Sequence, residues 1–215
     1  MNSQQALFLL QGLEGTVILS LLTFLFGGVV SFVVALARIS PFAGVRIAVA
    51  TLIYVLQGIP LLVIMGLCYF GPSLLGVQTV SPLFAATLSM TIYSAAFLGD
   101  IWRGCLEAVP KQQWEAAETL GLSRWQRMWK VILPQAARMA IPPTVGFMVQ
   151  IIKNSSIASL VIGYADLSYM AKILNNSTFR PFVFFGAAAA LYFIISYPLS
   201  AGSRYMERRL NVGNR

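Results

Sequence analysis

Histidine is absent from this 215-residue chain, and cysteine occurs only twice, as Cys68 and Cys105. The usual ligand sets of zinc are therefore missing, and neither a metal nor a cofactor is expected. The two cysteines fall near opposite ends of neighbouring apolar stretches, so we expect free packing residues and not a disulfide. No glycine-rich stretch is followed by Lys-Ser or Lys-Thr, which excludes the phosphate cradle that nucleotide hydrolysis needs. Without a paired-carboxylate site or an activated nucleophile, the sequence does not indicate an enzyme.

Charged residues are also scarce, at 10% of the chain against 58% hydrophobic residues, and the mean hydropathy is +0.76. A soluble domain of this composition would expose a large apolar surface, so we predict an all-α membrane protein whose solvent is largely lipid. A span needs about 20 apolar residues, and five stretches qualify. They are Thr16 to Ala37, Ile47 to Tyr69, Leu83 to Leu98 with an extension toward Cys105, Ile141 to Ile162, and Phe182 to about Ser203.

The net charge of +8 is distributed unevenly along the chain. Basic residues concentrate in alternate connections between the predicted spans, as the positive-inside rule expects, and this pattern argues against nucleic-acid binding. Those placed in the cytoplasm are Arg38, Arg46, Arg103, Lys111, Arg124, Arg127, Lys130, Arg138, Arg204, Arg208, Arg209 and Arg215. Lys172 and Arg180, between the fourth and fifth spans, are exceptions that Asp166 offsets in part. We therefore predict that the N-terminus lies outside and the C-terminus in the cytoplasm.

One polar segment, Arg103 to Arg138, connects the third and fourth spans. It is too long for a tight turn and too rich in helix formers for a flexible linker. We expect two short helices, the first with Pro110 in its first turn and Gly121 as the left-handed residue that ends it. Ser123 forms a capping box with the glutamine three residues later and opens the second helix, and Pro134 marks where that helix stops or kinks.

Within this segment Glu115-Ala116-Ala117 is followed three residues later by Gly121, and nine residues after that comes Val131-Ile132-Leu133-Pro134. This pattern resembles the EAA loop of ABC importer permeases, from which only Val131 departs. The resemblance implies that the first helix docks into a separate ATPase subunit, so that nucleotide binding moves the attached spans. The small alanine side chains would let its backbone approach the partner closely. The implied coupling residues are Glu115, Ala116, Ala117, Gly121, Leu133 and Pro134.

Further segments are similar to the polar amino acid branch of this family, and together they cover nearly the whole chain. They are Tyr54 to Val63, Arg103-Gly104, Leu133 to Ala136, Lys153 to Ser156, and Glu207 to Arg209. The resemblance implies a single permease transmembrane domain over residues 1–215 in a bacterial cytoplasmic (inner) membrane. It also implies three partners: a second permease subunit, identical or homologous, an ABC ATPase, and an extracytoplasmic binding protein that delivers a polar amino acid. Gln57 stands where the branch usually has arginine, and Asn154 where it often has aspartate.

Polar groups near the centres of two spans are candidates for the substrate path, because a polar amino acid needs partners that replace its water. They are Gln57, Gly58 and Pro60 in the second span, Gln150, Lys153 and Asn154 on one face of the fourth, and Ser155 and Ser156 of the family pattern. Burying a lone ammonium costs about 2.5 to 3.5 kcal/mol, so Lys153 should face a water-filled path or a partner. If it faces the path without a neighbouring carboxylate, acidic or neutral amino acids are favoured over cationic ones.

Several alternatives remain open at this stage. Lys153 could instead snorkel, or bond to carbonyl groups of a broken helix and fix the packing between subunits. The cytoplasmic helix could lie on lipid headgroups, anchored by Trp114, Trp125 and Trp129. A passive channel or a secondary transporter would need no ATPase, and a membrane scaffold would need no path. Of the acidic residues, Glu14 is expected to be a solvated carboxylate at the outer rim, and Asp100 to pair with Arg103 within one helix.

Overall fold

The computed structural model describes residues 1–77 and 80–211, so that Arg215, counted above among the basic residues, lies outside the described residues. Within those residues the chain forms nine α-helices and no β-strand. The helices are α1 (Ser3–Arg38), α2 (Ala43–Gly58), α3 (Leu61–Leu74), α4 (Pro82–Glu107), α5 (Lys111–Thr119), α6 (Arg124–Arg127), α7 (Leu133–Ile162), α8 (Leu167–Thr178) and α9 (Pro181–Asn211). A π-helical turn, Met128–Ile132, joins α6 to α7. The predicted all-α fold is confirmed.

The helices also account for the five predicted spans. Four helical segments are long and apolar enough to cross a bilayer: α1, α4, the continuous helix from Arg124 to Ile162, and α9. Helices α2 and α3 meet at 98° and supply the fifth crossing if the bent pair is one span. The bend lies within the second predicted span, beside the candidates Gln57, Gly58 and Pro60. It follows from Pro60, which lacks an N–H, and from Ile59, whose extended backbone (φ −98°, ψ 126°) is the conformation favoured before proline.

Helices α1 and α4 approach each other closely because small residues line their interface. A Cβ atom on Gly27 would lie 2.7 Å from the Cβ atom of Ser94. The hydroxyl of Ser31 donates to the carbonyl of Ser94 at 3.0 Å. Such small residues are typical of packed transmembrane helices, where backbones come close and hydroxyl groups bond across the interface. The main core joins this pair to α3 and α7 through residues that include Leu19, Met65, Met90, Leu98 and Ile151.

Helix α8 occupies the connection between the fourth and fifth spans and was not predicted from the sequence. Asp166 caps it, since a carboxylate oxygen accepts the N–H of Tyr169 at 2.9 Å. The N–H of Leu167 donates to the hydroxyl oxygen of Thr16 on α1 at 3.1 Å. A core cluster of α1, α8 and α9 residues holds the helix in place: Leu9, Leu167, Ala171, Phe184 and Ala188.

The sequence predicts that the helix opened by Ser123 stops or kinks at Pro134, and of these two outcomes the stop is wrong. It continues for 39 residues, from Arg124 to Ile162. The π-helical turn lies just before the proline, and within it the N–H of Leu133 donates to the carbonyl of Met128, five residues earlier. Because the hydrogen-bond register changes there, the missing N–H of Pro134 does not interrupt the helix. The ends of the predicted polar segment also belong to α4 and α7, so the true connection is residues 108–123.

Candidate coupling surface and polar groove

The cytoplasmic helix of the sequence prediction is α5, and its C-terminal end has the predicted glycine geometry. Gly121 has φ +70°, a left-handed conformation that glycine adopts without steric cost. Its N–H donates to the carbonyl of Glu118 at 2.9 Å, and the N–H of Leu122 donates to the carbonyl of Ala117 at 3.2 Å. These two bonds form a Schellman motif, which satisfies the last carbonyl groups of α5 and turns the chain sharply away.

Helix α5 is attached to the long helix that starts at Arg124 by polar contacts. The predicted capping box is present: Ser123 Oγ accepts the N–H of Gln126 at 3.3 Å, and the Gln126 side chain accepts the N–H of Ser123 at 3.0 Å. Arg127 donates to the carboxylate of Glu118 at 2.7 Å, across the turn. These contacts tie α5 to the long helix that becomes the fourth span.

The predicted coupling residues of α5 lie partly on its exposed face and partly on its buried face. Ala117 is 2% exposed and packs against the chain itself, whereas Glu115 and Ala116 are exposed. Leu120, which the sequence analysis did not single out, is 79% exposed at the end of α5. An exposed leucine beside an exposed alanine forms a small apolar surface that water would disfavour. We call Glu115, Ala116 and Leu120 the exposed face of α5.

The remaining coupling candidates and the tryptophans lie behind this face. Leu133 is half-buried, in a cluster with Ala35, Leu106 and Ile132, and Trp114 packs against the same cluster. Three further residues are exposed outside α5: Pro134, Trp125 and Trp129, and the rings of the two tryptophans are in contact with their planes tilted by 52° and their centroids 5.1 Å apart. Trp114 is therefore a packing residue, while the other two tryptophans are placed on the long helix and not on α5.

The structure separates the second-span candidates from those of the fourth span. The side-chain amide of Gln57 donates to the carbonyl of Ala96 on α4 at 3.2 Å. Gly58 and Pro60 are exposed at the bend between α2 and α3. Gln57 thus ties the broken span to α4 and does not meet Lys153 in a common site.

The candidate substrate-path residues of α7 lie on two different sides of the helix. Lys153 is exposed and Ser156 is half-buried, and both line a groove between α7 and α9. Gln150 is exposed outside that groove, and its amide donates to the side-chain oxygen of Asn154, which is 8% exposed, at 3.3 Å. Ser155 is fully buried and points the other way. The shared face predicted for Gln150, Lys153 and Asn154 therefore splits into one residue on the groove and two beside it.

The polar groove, as we call this space of about 610 Å³ between α7, α8 and α9, is lined by both polar and apolar side chains. Its lining residues come from α7, α8 and α9: Val149, Lys153, Ser156, Ser168, Ala189, Tyr192, Phe193, Ser196, Tyr197, Ser200 and Arg204. Two cations and no carboxylate are among them. Lys153 lies nine residues before the end of α7, about 13.5 Å along the helix axis at 1.5 Å per residue, which is close to half of the roughly 30 Å thickness of a bilayer core. The α9 contribution was missed, although its polar residues recur every fourth position in an apolar span.

A buried carboxylate lies directly behind the groove. Asp166 is 0% exposed, and besides capping α8 it accepts the hydroxyl of Tyr192 at 2.8 Å and the hydroxyl of Ser155 at 3.2 Å. Burial raises the pKa of this carboxyl above its ordinary value, and the hydrogen bonds it accepts oppose part of that rise. Ser155 therefore serves this buried network and not the groove surface. Tyr192 belongs to both, since it also lines the groove.

Charges at the ends of the spans follow the sequence prediction. Asp100 pairs with Arg103 at 2.8 Å within α4, and also with Arg38 of α1 at 3.5 Å. Glu14 is exposed, and Cys68 and Cys105 are free. The predicted intrahelical pair is thus confirmed, with a second arginine that ties α1 to α4.

This arrangement of broken and continuous spans, with a capped helix between the third and fourth, has matches among known proteins. Residues 27–212 match the family described as the binding-protein-dependent transport system inner membrane component. The chain belongs to this family, and it is accordingly a membrane translocation component, an ABC transporter permease, rather than an enzyme.

Individual relatives are similar over nearly the whole chain. The chain is 32% identical over 202 residues to the probable amino-acid ABC transporter permease protein YckA of Bacillus subtilis (strain 168), covering 94% of this chain and 88% of that protein. It is 33% identical over 201 residues to the probable glutamine ABC transporter permease protein GlnM of the same organism, covering 94% and 92%. A chain in the crystal structure of an amino acid ABC transporter with histidines superposes with a TM-score of 0.88 at 30% identity, covering 96% of this chain and 95% of that chain.

Proposed function

We propose that this permease is a subunit of an importer for polar amino acids in the bacterial cytoplasmic (inner) membrane. Its N-terminus lies outside, its C-terminus lies in the cytoplasm, and residues 1–215 act as one transmembrane domain in membrane lipid. A second permease subunit, identical or homologous, lies beside it. An ABC ATPase binds the exposed face of α5, and an extracytoplasmic binding protein delivers the amino acid. The chain itself hydrolyses nothing.

The observation that carries the coupling role is the exposed face of α5 on a rigid attachment. Glu115, Ala116 and Leu120 have no packing role inside the chain, because their side chains are exposed, whereas Ala117 behind them is buried. The ion pair from Glu118 to Arg127 and the Schellman turn fix this face relative to the fourth span. A partner that pushes α5 would therefore move the helix that carries Lys153.

The charge of the polar groove supports a preference for acidic or neutral amino acids. Lys153 and Arg204 line it, and no carboxylate does among the residues of the groove. Asp166 is the nearest acid along α8, but it is fully buried and already accepts three hydrogen bonds. A cationic side chain would meet like charge in a partly desolvated space, whereas a carboxylate or amide would be satisfied there.

A bulky residue on the exposed face tests the coupling. Ala116→Trp should abolish ATP-dependent uptake in proteoliposomes and loosen the ATPase during purification in detergent. Ala43→Trp is the matched control, because Ala43 is an exposed alanine at the first residue of α2, next to the other connection assigned to the cytoplasm. ATP-independent uptake that Ala116→Trp leaves untouched would favour a passive channel or a secondary transporter.

Competition for uptake tests the substrate class. Unlabelled glutamate or glutamine should compete with the labelled substrate better than arginine does. Lys153→Gln should reduce the advantage of glutamate over glutamine, because it removes a cation from the groove. A clear preference for arginine in the wild-type transporter would overturn the assignment.

A further inference from the structure

Asp166 sets the direction of a short hydrogen-bond chain that ends at the polar groove. Three groups direct protons at its two oxygens: the N–H of Tyr169, the hydroxyl of Tyr192, and the hydroxyl of Ser155, whose one proton is shared between this carboxylate at 3.2 Å and the carbonyl of Ile152 at 2.9 Å. Donors that converge in this way suit an ionised carboxylate, which can only accept hydrogen bonds. The carboxylate therefore fixes where its neighbours place their protons.

The consequence for Tyr192 follows from counting protons. A phenol has one proton, and that of Tyr192 is donated to Asp166 at 2.8 Å. In its contact with Ser168, at 3.1 Å, the tyrosine must then be the acceptor and Ser168 the donor. Each hydroxyl has used its only proton, so both present nothing but lone pairs to the groove that they line. This part of the groove can accept hydrogen bonds but not donate them.

We propose that this accepting end, formed by Tyr192 and Ser168 and oriented by Asp166, binds the α-ammonium group of the transported amino acid. Lys153, on the α7 side of the same groove, then binds the carboxylate. The inference rests on the proposed function, because it assumes that the groove receives an amino acid. Asp166 is a positioning residue here, since it acts on the ligand only through Tyr192.

A second observation points to a ligand in the same place. Ser196 lies one helical turn from Tyr192 on α9 and lines the groove. It is 8% exposed, and its hydroxyl finds no hydrogen-bond partner among the described residues. A buried hydroxyl left unpaired is unfavourable, so a polar ligand between Ser196 and Tyr192 would complete its hydrogen bonding.

The substitution Asp166→Asn reverses the chain and keeps the helix cap. The N–H of Tyr169 requires an acceptor, so the amide oxygen takes that position and the amide NH₂ group faces Tyr192. Tyr192 must then accept, and its proton turns toward Ser168 or the groove. Tyr192→Phe removes the accepting oxygen altogether. Tyr205→Phe is the matched control, because Tyr205 is exposed on the same helix and is not among the groove residues.

The experiment measures equilibrium binding to the purified permease–ATPase complex without its binding protein. The ligands are L-glutamine, L-glutamate or L-histidine, whichever the wild-type transporter takes up fastest, and the desamino analogue of the same compound. Asp166→Asn and Tyr192→Phe should weaken binding of the amino acid roughly 10- to 100-fold, the value of one hydrogen bond to a charged group. Binding of the analogue, which lacks the ammonium group, and all binding to Tyr205→Phe should be unchanged.

The outcomes separate this inference from the function on which it rests. The ammonium site would be overturned if the substitutions weakened binding of the amino acid and of its desamino analogue equally, or if Tyr192→Phe bound the amino acid as the wild type does. In either case, amino acid uptake by the wild type would still support the importer. Uptake of no amino acid by the wild type would overturn the importer itself. If Asp166→Asn does not assemble with the ATPase, Tyr192→Phe alone decides, because its side chain differs only by the hydroxyl.

Discussion

Gly121→Val should uncouple ATP hydrolysis from transport, because it acts on the residue that ends α5. Gly121 has φ +70°, and a Cβ atom there would meet nothing within 4 Å. The cost is therefore conformational and not steric: a left-handed backbone disfavours a non-glycine residue by about 1–2 kcal/mol. That amount lowers the ratio of correctly terminated to unwound α5 ends by roughly 5- to 30-fold. Gly121→Asn should be much milder, since asparagine tolerates this conformation.

The assay compares substrate taken up with ATP hydrolysed in proteoliposomes that contain the complete transporter. The expected result is a lower ratio for Gly121→Val and a ratio near wild type for Gly121→Asn. Gly76→Val is a matched control for strain. Gly76 has φ +83° and an equally open Cβ position, but it lies between α3 and α4, far along the chain from the coupling segment.

Two results would refute the reasoning. If Gly121→Val retained the wild-type ratio with the ATPase still attached, the orientation of α5 would not matter for coupling. If Gly76→Val lowered the ratio as much, the effect would come from general destabilisation of the permease. The predicted pattern requires both a difference between the two glycines and a difference between valine and asparagine at position 121.

Three further predictions concern packing, pH and orientation. Gly27→Ala should lower the free energy of unfolding by about 1–3 kcal/mol in a denaturation series, because the new Cβ atom would lie 2.7 Å from a serine Cβ atom of α4. Gly28→Ala is the control, and it should leave the free energy of unfolding unchanged because a Cβ atom there meets nothing within 4 Å. Because the pKa of Asp166 is raised, the folded state holds a proton that the unfolded chain releases only in the pH range between about 3.9 and the raised pKa, so stability should fall as pH rises through this range, above which the carboxylate is ionised in both states. Asp166→Asn should lack this component, and a pH-independent difference between the two proteins in thermal unfolding would contradict it. The orientation can be tested in a chain whose native cysteines have been replaced. A cysteine at Ser177 should react with a membrane-impermeant maleimide on intact cells, whereas a cysteine at Thr119 should react only after permeabilisation. The opposite labelling pattern would show that the predicted orientation of the chain is reversed.

Local signals in the polar segment from Arg103 to Arg138 were enough to predict the turn after α5 and the cap of the helix that follows. Gly121, Ser123 and the glutamine of the capping box specify their conformations through bonds to residues within five positions, and the structure contains those bonds. Pro134 does not end the helix, which was one of its two predicted effects, because that rule assumes an α-helical register and the π-helical turn before it changes that register. Which alanine of α5 faces outward depends on packing against the rest of the chain, so Ala117 could not be assigned from the pattern.

The groove depends on contacts that no short window of sequence contains. Lys153 was a candidate because a charge in an apolar span is conspicuous. Tyr192 and Ser196 were missed because single hydroxyl groups in such spans are common and are usually satisfied by their own helix. Asp166 was counted only as an offsetting charge in a connection; its burial arises from α1, α8 and α9 folding over it, which requires the three-dimensional structure.

The π-helical turn at Met128–Ile132 has a consequence for how insertions and deletions in this chain would act. It holds one residue more than an α-helical turn, so removing a residue there would restore the regular register and rotate everything downstream by about 100° relative to α5. Lys153 would swing away from α9, with every residue type in the membrane preserved. The direction in which the groove-lining side chains of α7 point is thus set some twenty positions upstream, by the length of the chain and not by its chemistry.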